Sequence, residues 1–187
     1  LLCEHEIERD RAGAQRRLDA ARPLILRVRR AGLEARLLGC EGELRENSGD
    51  SSGASTLYEQ AVLAAERADD REQLAQALYH RGYLRGVRGE FANGLSDLQR
   101  AAALYDALDR PAHRTTVHNG IAIIYNRMGD AQQARQFYES ALKDQQAAGL
   151  KRELVVTWHN LGRVLENLKD WDAAEHAFLE SLSLSRE

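Results

Sequence analysis

A residue pattern that recurs every 40 residues limits this chain of 187 residues more than any other feature. Four columns carry the pattern: Gly42, Gly82, Ala122 and Gly162; Gly49, Gly89, Gly129 and Lys169; Ala54, Gly94, Ala134 and Ala174; and Tyr58, Leu98, Tyr138 and Phe178. A fixed period between 20 and 50 residues indicates an array of stacked structural repeats. The chain is therefore expected to fold by stacking similar units.

The residue types in these columns predict a helix hairpin in each unit. Small residues let two helices approach closely, aromatic residues fill the remaining space, and glycine adopts the left-handed turn that ends a helix. An acidic residue follows each turn, at Asp50, Glu90, Asp130 and Asp170, where it favours the start of the next helix. We expect first helices near 33–47, 73–88, 113–128 and 152–168, and second helices near 53–68, 91–107, 131–147 and 171–185.

Composition and charge exclude several classes of protein. The chain is 43% hydrophobic and 29% charged, with 2 Pro and 14 Gly, which favours a helix-rich globular protein over a disordered one. Its net charge of -3 supplies no global field for nucleic acid. No apolar run approaches the roughly 18 residues that span a bilayer. We therefore expect neither nucleic-acid binding nor direct membrane insertion.

The sequence of residues 158–182 resembles the tetratricopeptide repeat family. The residues that match the family pattern are Trp158, Leu161-Gly162, Lys169-Asp170, Ala174 and Phe178. The usual unit has about 34 residues, so this chain is similar to a lengthened variety. The resemblance implies an all-α, right-handed superhelical solenoid of helix-turn-helix repeats. Four repeats would cover about 32–71, 72–111, 112–151 and 152–187 as one continuous array, after a partial N-terminal repeat, the end of a helical hairpin, at 1–31.

The same resemblance implies a partner-binding groove lined by the first helix of each hairpin. Its middle would hold the apolar residues Tyr79, Tyr83, Val87 and Ile123, with polar residues at both ends to fix the register of a peptide. The candidate groove residues are Glu43, Tyr79, His80, Tyr83, Val87, Asn119, Ile123, Asn126, His159 and Arg163. The alternative is that Tyr83 and Val87 only cover neighbouring helices. Relatives that clamp a C-terminal carboxylate use Lys, Asn and Arg on this surface, and that clamp is not matched here.

The sequence favours no enzyme, cofactor or metal site in this segment. His5-Glu6-Ile7-Glu8-Arg9 begins like the zinc-protease helix motif, but Arg9 stands at its second histidine. The spacing of Gly82, Gly86 and Gly89 matches neither the dinucleotide-binding fingerprint nor the phosphate-binding loop. Two cysteines, Cys3 and Cys40, cannot build a four-ligand zinc site. One interpretation is that both are ordinary small residues. The other is a thiol pair, since the resemblance implies that their positions face each other.

We expect a protein- or peptide-recognition module from a longer polypeptide, since the chain begins without Met. The sequence of residues 167–171, Asn-Leu-Lys-Asp-Trp, resembles the sensory repeat segments of bacterial GGDEF-type diguanylate cyclases. It also resembles the repeat segments of large transcriptional regulators. Arg outnumbers Lys 23 to 3, which hints at a bacterial source. The alternative is a structural scaffold or dimerisation segment, a homo-oligomer joined through its uncapped ends. The compartment stays open between the cytoplasm and a periplasm-facing sensor.

Overall fold

The computed structural model describes residues 10–28 and 30–186, and 89% of these are helical. Within the described residues there are nine helices and no strand. The helices are α1 (Arg11–Val28), α2 (Ala31–Asn47), α3 (Ser51–Ala68), α4 (Arg71–Val87), α5 (Phe91–Ala107), α6 (Pro111–Met128), α7 (Ala131–Ala148), α8 (Lys151–Asn167) and α9 (Trp171–Arg186). Cys3 and residues 5–9 lie outside the described residues, so the Cys3–Cys40 pair stays a prediction.

The helix ends lie within two residues of those that the sequence predicts, from α2 to α9. The capping acids explain part of this agreement. Asp50 accepts a hydrogen bond from the Gly53 amide at 2.8 Å, and Asp130 accepts one from the Gln133 amide at 3.1 Å. The longer side chain of Glu90 makes no such bond. Short acidic side chains therefore cap α3 and α7, whereas Glu90 contributes only its charge near the start of α5.

The turns that join consecutive helices are short and include left-handed residues. From Ala31 to Arg186 each connection has two or three residues. Gly49, Gly89 and Gly129 adopt φ angles of 84°, 88° and 84°. Lys169 occupies the same column with φ of 60°, although a side chain makes this conformation costly. The glycine column therefore reflects the backbone of the turn, and Lys169 adopts it despite having a Cβ.

The first unit of the fold reaches to Leu84 and contains several small cores. Helix α2 packs against both α1 and α3. One apolar cluster joins α1 and α2, and it includes Leu18, Leu37 and Cys40. Two smaller clusters surround Ala64 and Tyr58. The buried side chains of Glu41 and Glu43 also belong to this unit.

The second unit begins at Arg85, and its buried apolar residues include a ten-residue cluster as well as Leu98, Tyr105 and Ile121 outside it. Helices α5 to α9 each pack against the next one along the chain, and α6 also contacts α8. The main cluster contains ten buried residues: Ala122, Ala134, Tyr138, Leu142, Leu154, Leu161, Val164, Leu165, Ala174 and Ala177. These residues come from four helices, so the cluster holds two consecutive hairpins together.

Close contacts between glycine and aromatic residues confirm the two columns predicted from the repeat. A Cβ added at Gly162 would lie 2.6 Å from Cε1 of Phe178, and one added at Gly42 would overlap the Tyr58 ring. Tyr58 is completely buried and Tyr138 is 2% exposed.

Within the described part of the chain, no helix is long and apolar enough to cross a membrane.

Candidate partner-binding surfaces

The ten candidate groove residues fall into two sets, one in each unit. Glu43, Tyr79, His80 and Tyr83 belong to the first unit, and Val87, Asn119, Ile123, Asn126, His159 and Arg163 to the second. Each set has its own geometry. The single groove that would join them stays a prediction.

Aromatic rings of the first unit form a continuous layer on α3 and α4. Tyr58 stacks on His80 with ring centroids 5.2 Å apart and an interplanar angle of 16°. His80 meets Tyr79 edge to face at 5.2 Å, and Tyr79 stacks on Tyr83 at 6.2 Å. Tyr58 is buried, whereas Tyr79 and Tyr83 are half-buried. The layer therefore leads from the core to two aromatic side chains that solvent reaches.

Two carboxylates, those of Glu43 and Glu46, contact the rings of this layer. Glu43 Oε1 lies 3.1 Å from His80 Nε2, and both side chains are nearly buried, at 9% and 12% exposure. The Tyr58 hydroxyl donates a hydrogen bond of 2.7 Å to Glu46 Oε2. Burial and the neighbouring Glu46 raise the pKa of Tyr58 far above its ordinary value. Glu43 and His80 thus lie on the buried side of the layer, whereas Tyr79 and Tyr83 are partly exposed to solvent.

A buried ion pair in the same unit was not predicted from the sequence. Arg22 Nη2 on α1 lies 2.7 Å from Glu41 Oε1 on α2, and the Glu41 side chain is 8% exposed. Burial raises the pKa of Glu41, and the charge of Arg22 opposes this only in part. The available signal was that Glu41 stands in the column of Ile121 and Leu161, where the last two repeats have apolar residues and the second repeat has Arg81.

Polar contacts in the second unit join helices that lie about one repeat apart. Asn119 Nδ2 donates to Thr157 Oγ1 at 2.7 Å, and Asn167 Nδ2 donates to Asn126 Oδ1 at 3.1 Å. The third contact runs from Arg127 Nη2 to the backbone carbonyl oxygen of residue 87, at 2.8 Å. We call these three contacts the polar rungs. They link α4 to α6 and α6 to α8, so Asn119 and Asn126 already have partners inside the unit.

The remaining candidates of the second unit differ in exposure. Val87 is 37% exposed, and His159 and Arg163 also lie on the surface. The His159 ring is tilted against Phe178, with centroids 5.6 Å apart. Ile123 is half-buried and packs on the main cluster. These four residues supply mixed apolar and polar surface, and their role in binding stays a prediction.

The described residues contain no group of three or more His, Cys, Asp or Glu side chains placed to hold a metal ion. The geometry of both sets is that of packed rings, ion pairs and amide contacts.

Comparison with known families identifies the repeat. A family model described as tetratricopeptide repeat matches residues 73–147 and 113–187. No curated protein sequence matches the chain.

Solved structures share the fold at low sequence identity. BtubC (BKLC) from P. vanneervenii is 22% identical with a TM-score of 0.76, over 96% of this chain and 74% of that one. A Rap protein complexed with Competence and Sporulation Factor is 13% identical with a TM-score of 0.85, over 99% of this chain and 53% of that one. MamA is 18% identical with a TM-score of 0.65, over 100% and 95%. The all-α solenoid of helix hairpins predicted from the sequence is confirmed, and this chain spans about half of the Rap protein.

Proposed function

Because the chain belongs to the tetratricopeptide repeat family, we propose that it is a protein- or peptide-recognition module. Its first helices carry the contact residues, and the Tyr79–Tyr83 pair is the main anchor for a partner. A fold of this kind can hold a second molecule, since the similar Rap structure contains Competence and Sporulation Factor.

The aromatic layer of the first unit carries this proposal. Tyrosine offers a large contact area with little conformational freedom to lose, and aromatic residues dominate the energetics of protein interfaces. Tyr79 and Tyr83 are half-buried and stack on each other, so each side chain is partly exposed to solvent while its neighbours restrict its motion. His80, Tyr58 and the two carboxylates beneath them fix the layer in place. A surface ordered in advance loses less entropy when a partner binds.

A selection of peptides tests the proposal. A displayed library of random peptides is selected against the whole protein, and the affinity of each recovered peptide is measured by fluorescence anisotropy. We expect Tyr83→Ala to weaken binding by about 2 kcal/mol, or about thirtyfold in Kd, because it truncates an aromatic anchor. The control is Leu63→Ala on α3, an exposed residue outside the candidate set. Helix content by circular dichroism should stay unchanged in both variants.

Two results would contradict the proposal. The first is that selection recovers no peptide with measurable affinity. The second is that recovered peptides bind Tyr83→Ala and Leu63→Ala equally well. If sedimentation then showed a concentration-dependent dimer, the scaffold or dimerisation alternative would replace recognition.

We further propose that the module is the sensory or regulatory segment of a larger bacterial signalling protein. The support is the resemblance of residues 167–171 to repeat segments that precede diguanylate cyclase domains, and the excess of Arg over Lys. Sequencing the gene beyond the codon for Glu187 tests this. A downstream cyclase or transcription-factor domain is the expected result, and a stop codon or unrelated enzyme would contradict it.

A further inference from the structure

The outer surface of α9 exposes apolar residues, including Leu182 at a position that α7 buries. Trp171, Leu179 and Leu182 are 62%, 57% and 46% exposed. With Phe178, Glu166 and Glu175 they line an open depression of about 350 Å³. We call these six residues the α9 face.

The repeat itself shows what kind of structure covers such a surface. On α7, one repeat earlier, Tyr138 and Leu142 correspond to Phe178 and Leu182 and are only 2% and 5% exposed. Helix α8 packs against α7, and its buried leucines, Leu154, Leu161 and Leu165, are spaced by seven and four residues. The structure that covers this surface inside the molecule is therefore one amphipathic helix.

The charges of the α9 face differ from those of the equivalent surface on α7. Arg135 on α7 lies 3.4 Å from Asp170, in the turn that follows the covering helix. One repeat later Glu175 stands in place of Arg135, and Glu166 stands in place of Asn126. Neither glutamate has an ion-pair partner among the described residues. A helix covering the α9 face would therefore meet acidic groups where α8 meets a basic one.

Two further replacements make the α9 face more apolar than its counterpart. Leu179 stands in place of Glu139, and Trp171 in place of Ala131. A second copy of α9 would bring its own Glu175 towards this surface and repel it. The acidic rim and the apolar centre together select a partner of opposite charge.

We propose that the α9 face binds an amphipathic helix of a partner protein, with an apolar stripe spaced as in α8 and with Lys or Arg opposite Glu175. This surface is separate from the aromatic layer of the first unit. Its partner contact does not depend on Tyr79 or Tyr83.

A charge exchange tests the proposal with a probe taken from the chain. Two peptides covering residues 151–170 are synthesised with a helix-stabilising crosslink, one with the native sequence and one with Asp170→Lys. Their affinities for the whole protein are measured by fluorescence anisotropy. We expect the Asp170→Lys peptide to bind about fivefold more tightly than the native one, because it offers a cation to Glu175.

Variants of the protein, measured with the same two peptides, complete a double-mutant cycle. Glu175→Arg should reverse the preference, so that the native peptide binds more tightly than the Asp170→Lys peptide. Leu182→Asp should abolish binding of both peptides, whereas Leu63→Asp, exposed on α3, should leave binding unchanged. Circular dichroism checks that each variant is folded, and Glu175→Arg tests the proposal even if Leu182→Asp does not fold.

Four outcomes would overturn the proposal. In the first, neither peptide binds the protein. In the second, the Glu175→Arg protein and the wild type prefer the same one of the two peptides. The protein forms a dimer in sedimentation that Leu182→Asp dissociates, which would assign the face to a second copy. Hydrogen exchange of α9 in the natural polypeptide is slowed without any partner, which would assign it to the same chain.

Discussion

The two units bury polar groups in different ways. The first unit places Glu41 and Glu43 in its interior, where Glu41 pairs with Arg22 and Glu43 lies 3.1 Å from His80. The second unit buries one carboxylate, Asp97, whose Oδ2 lies 2.9 Å from Arg85 Nη1, and it also joins its first helices through uncharged side chains, Asn119 with Thr157 and Asn126 with Asn167. Removing a carboxylate from water costs far more than removing an amide. Among these buried carboxylates Glu41 has a raised pKa, so the stability of the first unit depends on pH through that group.

The largest expected effect separates the two units at an equivalent glycine. Gly42→Leu should destabilise by about 3 kcal/mol and Gly162→Leu by about 1 to 2 kcal/mol, because both crowd an aromatic ring that must then move. Tyr58 is completely buried and hydrogen-bonded, whereas Phe178 is half-buried and can turn towards solvent. Urea unfolding measures both free energies.

Glu166→Leu is the control for these substitutions, since residue 166 is exposed on the same helix as Gly162. Its effect should stay within about 0.5 kcal/mol. Equal losses for the Gly42 and Gly162 variants would remove this contrast between the units. Equal stability of Gly162→Leu and Glu166→Leu would show that the register of the repeat is wrong.

An intermediate effect concerns the turn column. Lys169→Gly should stabilise the protein by about 0.5 to 1 kcal/mol, because φ of 60° strains a residue that has a Cβ. Gly49→Lys, at the same column of the first unit, should destabilise by a similar amount. Thermal unfolding followed by circular dichroism measures the pair. Changes of the same sign in both variants would contradict the assignment of strain to this column.

The smallest effect concerns the buried carboxylate of Glu41 and its pH dependence. Its pKa is raised in the folded state, so folding favours the protonated form. The stability that this group supplies is complete below the unfolded pKa of about 4.3 and is lost as the pH rises through the folded pKa. Glu41→Gln should therefore raise the melting temperature at pH 7, and the difference should disappear near pH 4.

The matched control for this prediction is Glu59→Gln on exposed α3 surface. Its melting temperature should follow that of the wild type at both pH values. A melting temperature for Glu41→Gln below that of the wild type at pH 7 would show that the Arg22 ion pair outweighs burial.

The sequence allowed accurate prediction of the helices because their signals are local. Glycine in the turn column, Asp50 and Asp130 after it, and alternating small and aromatic residues all act within one hairpin. The contact between Gly42 and the Tyr58 ring is local in the same sense, since both residues belong to one hairpin.

The side-chain contacts between hairpins could not be predicted, because they depend on the angle and rotation of neighbouring helices. Asn126 was assigned to the candidate groove, yet it accepts a hydrogen bond from Asn167, 41 residues later. Glu43 looked like a groove residue, and it is 7% exposed beside His80. A useful signal for future sequences is two polar residues separated by about one repeat on first helices.

The short connections between helices have a consequence for proteolysis. Proteases require an extended, accessible segment, and turns of two or three residues between Ala31 and Arg186 offer little of it. Cleavage within this range therefore needs a hairpin to open before the enzyme can act. Under native conditions the cleavage rate at each turn would report the free energy of opening the adjacent hairpin, so limited digestion could map local stability along the array.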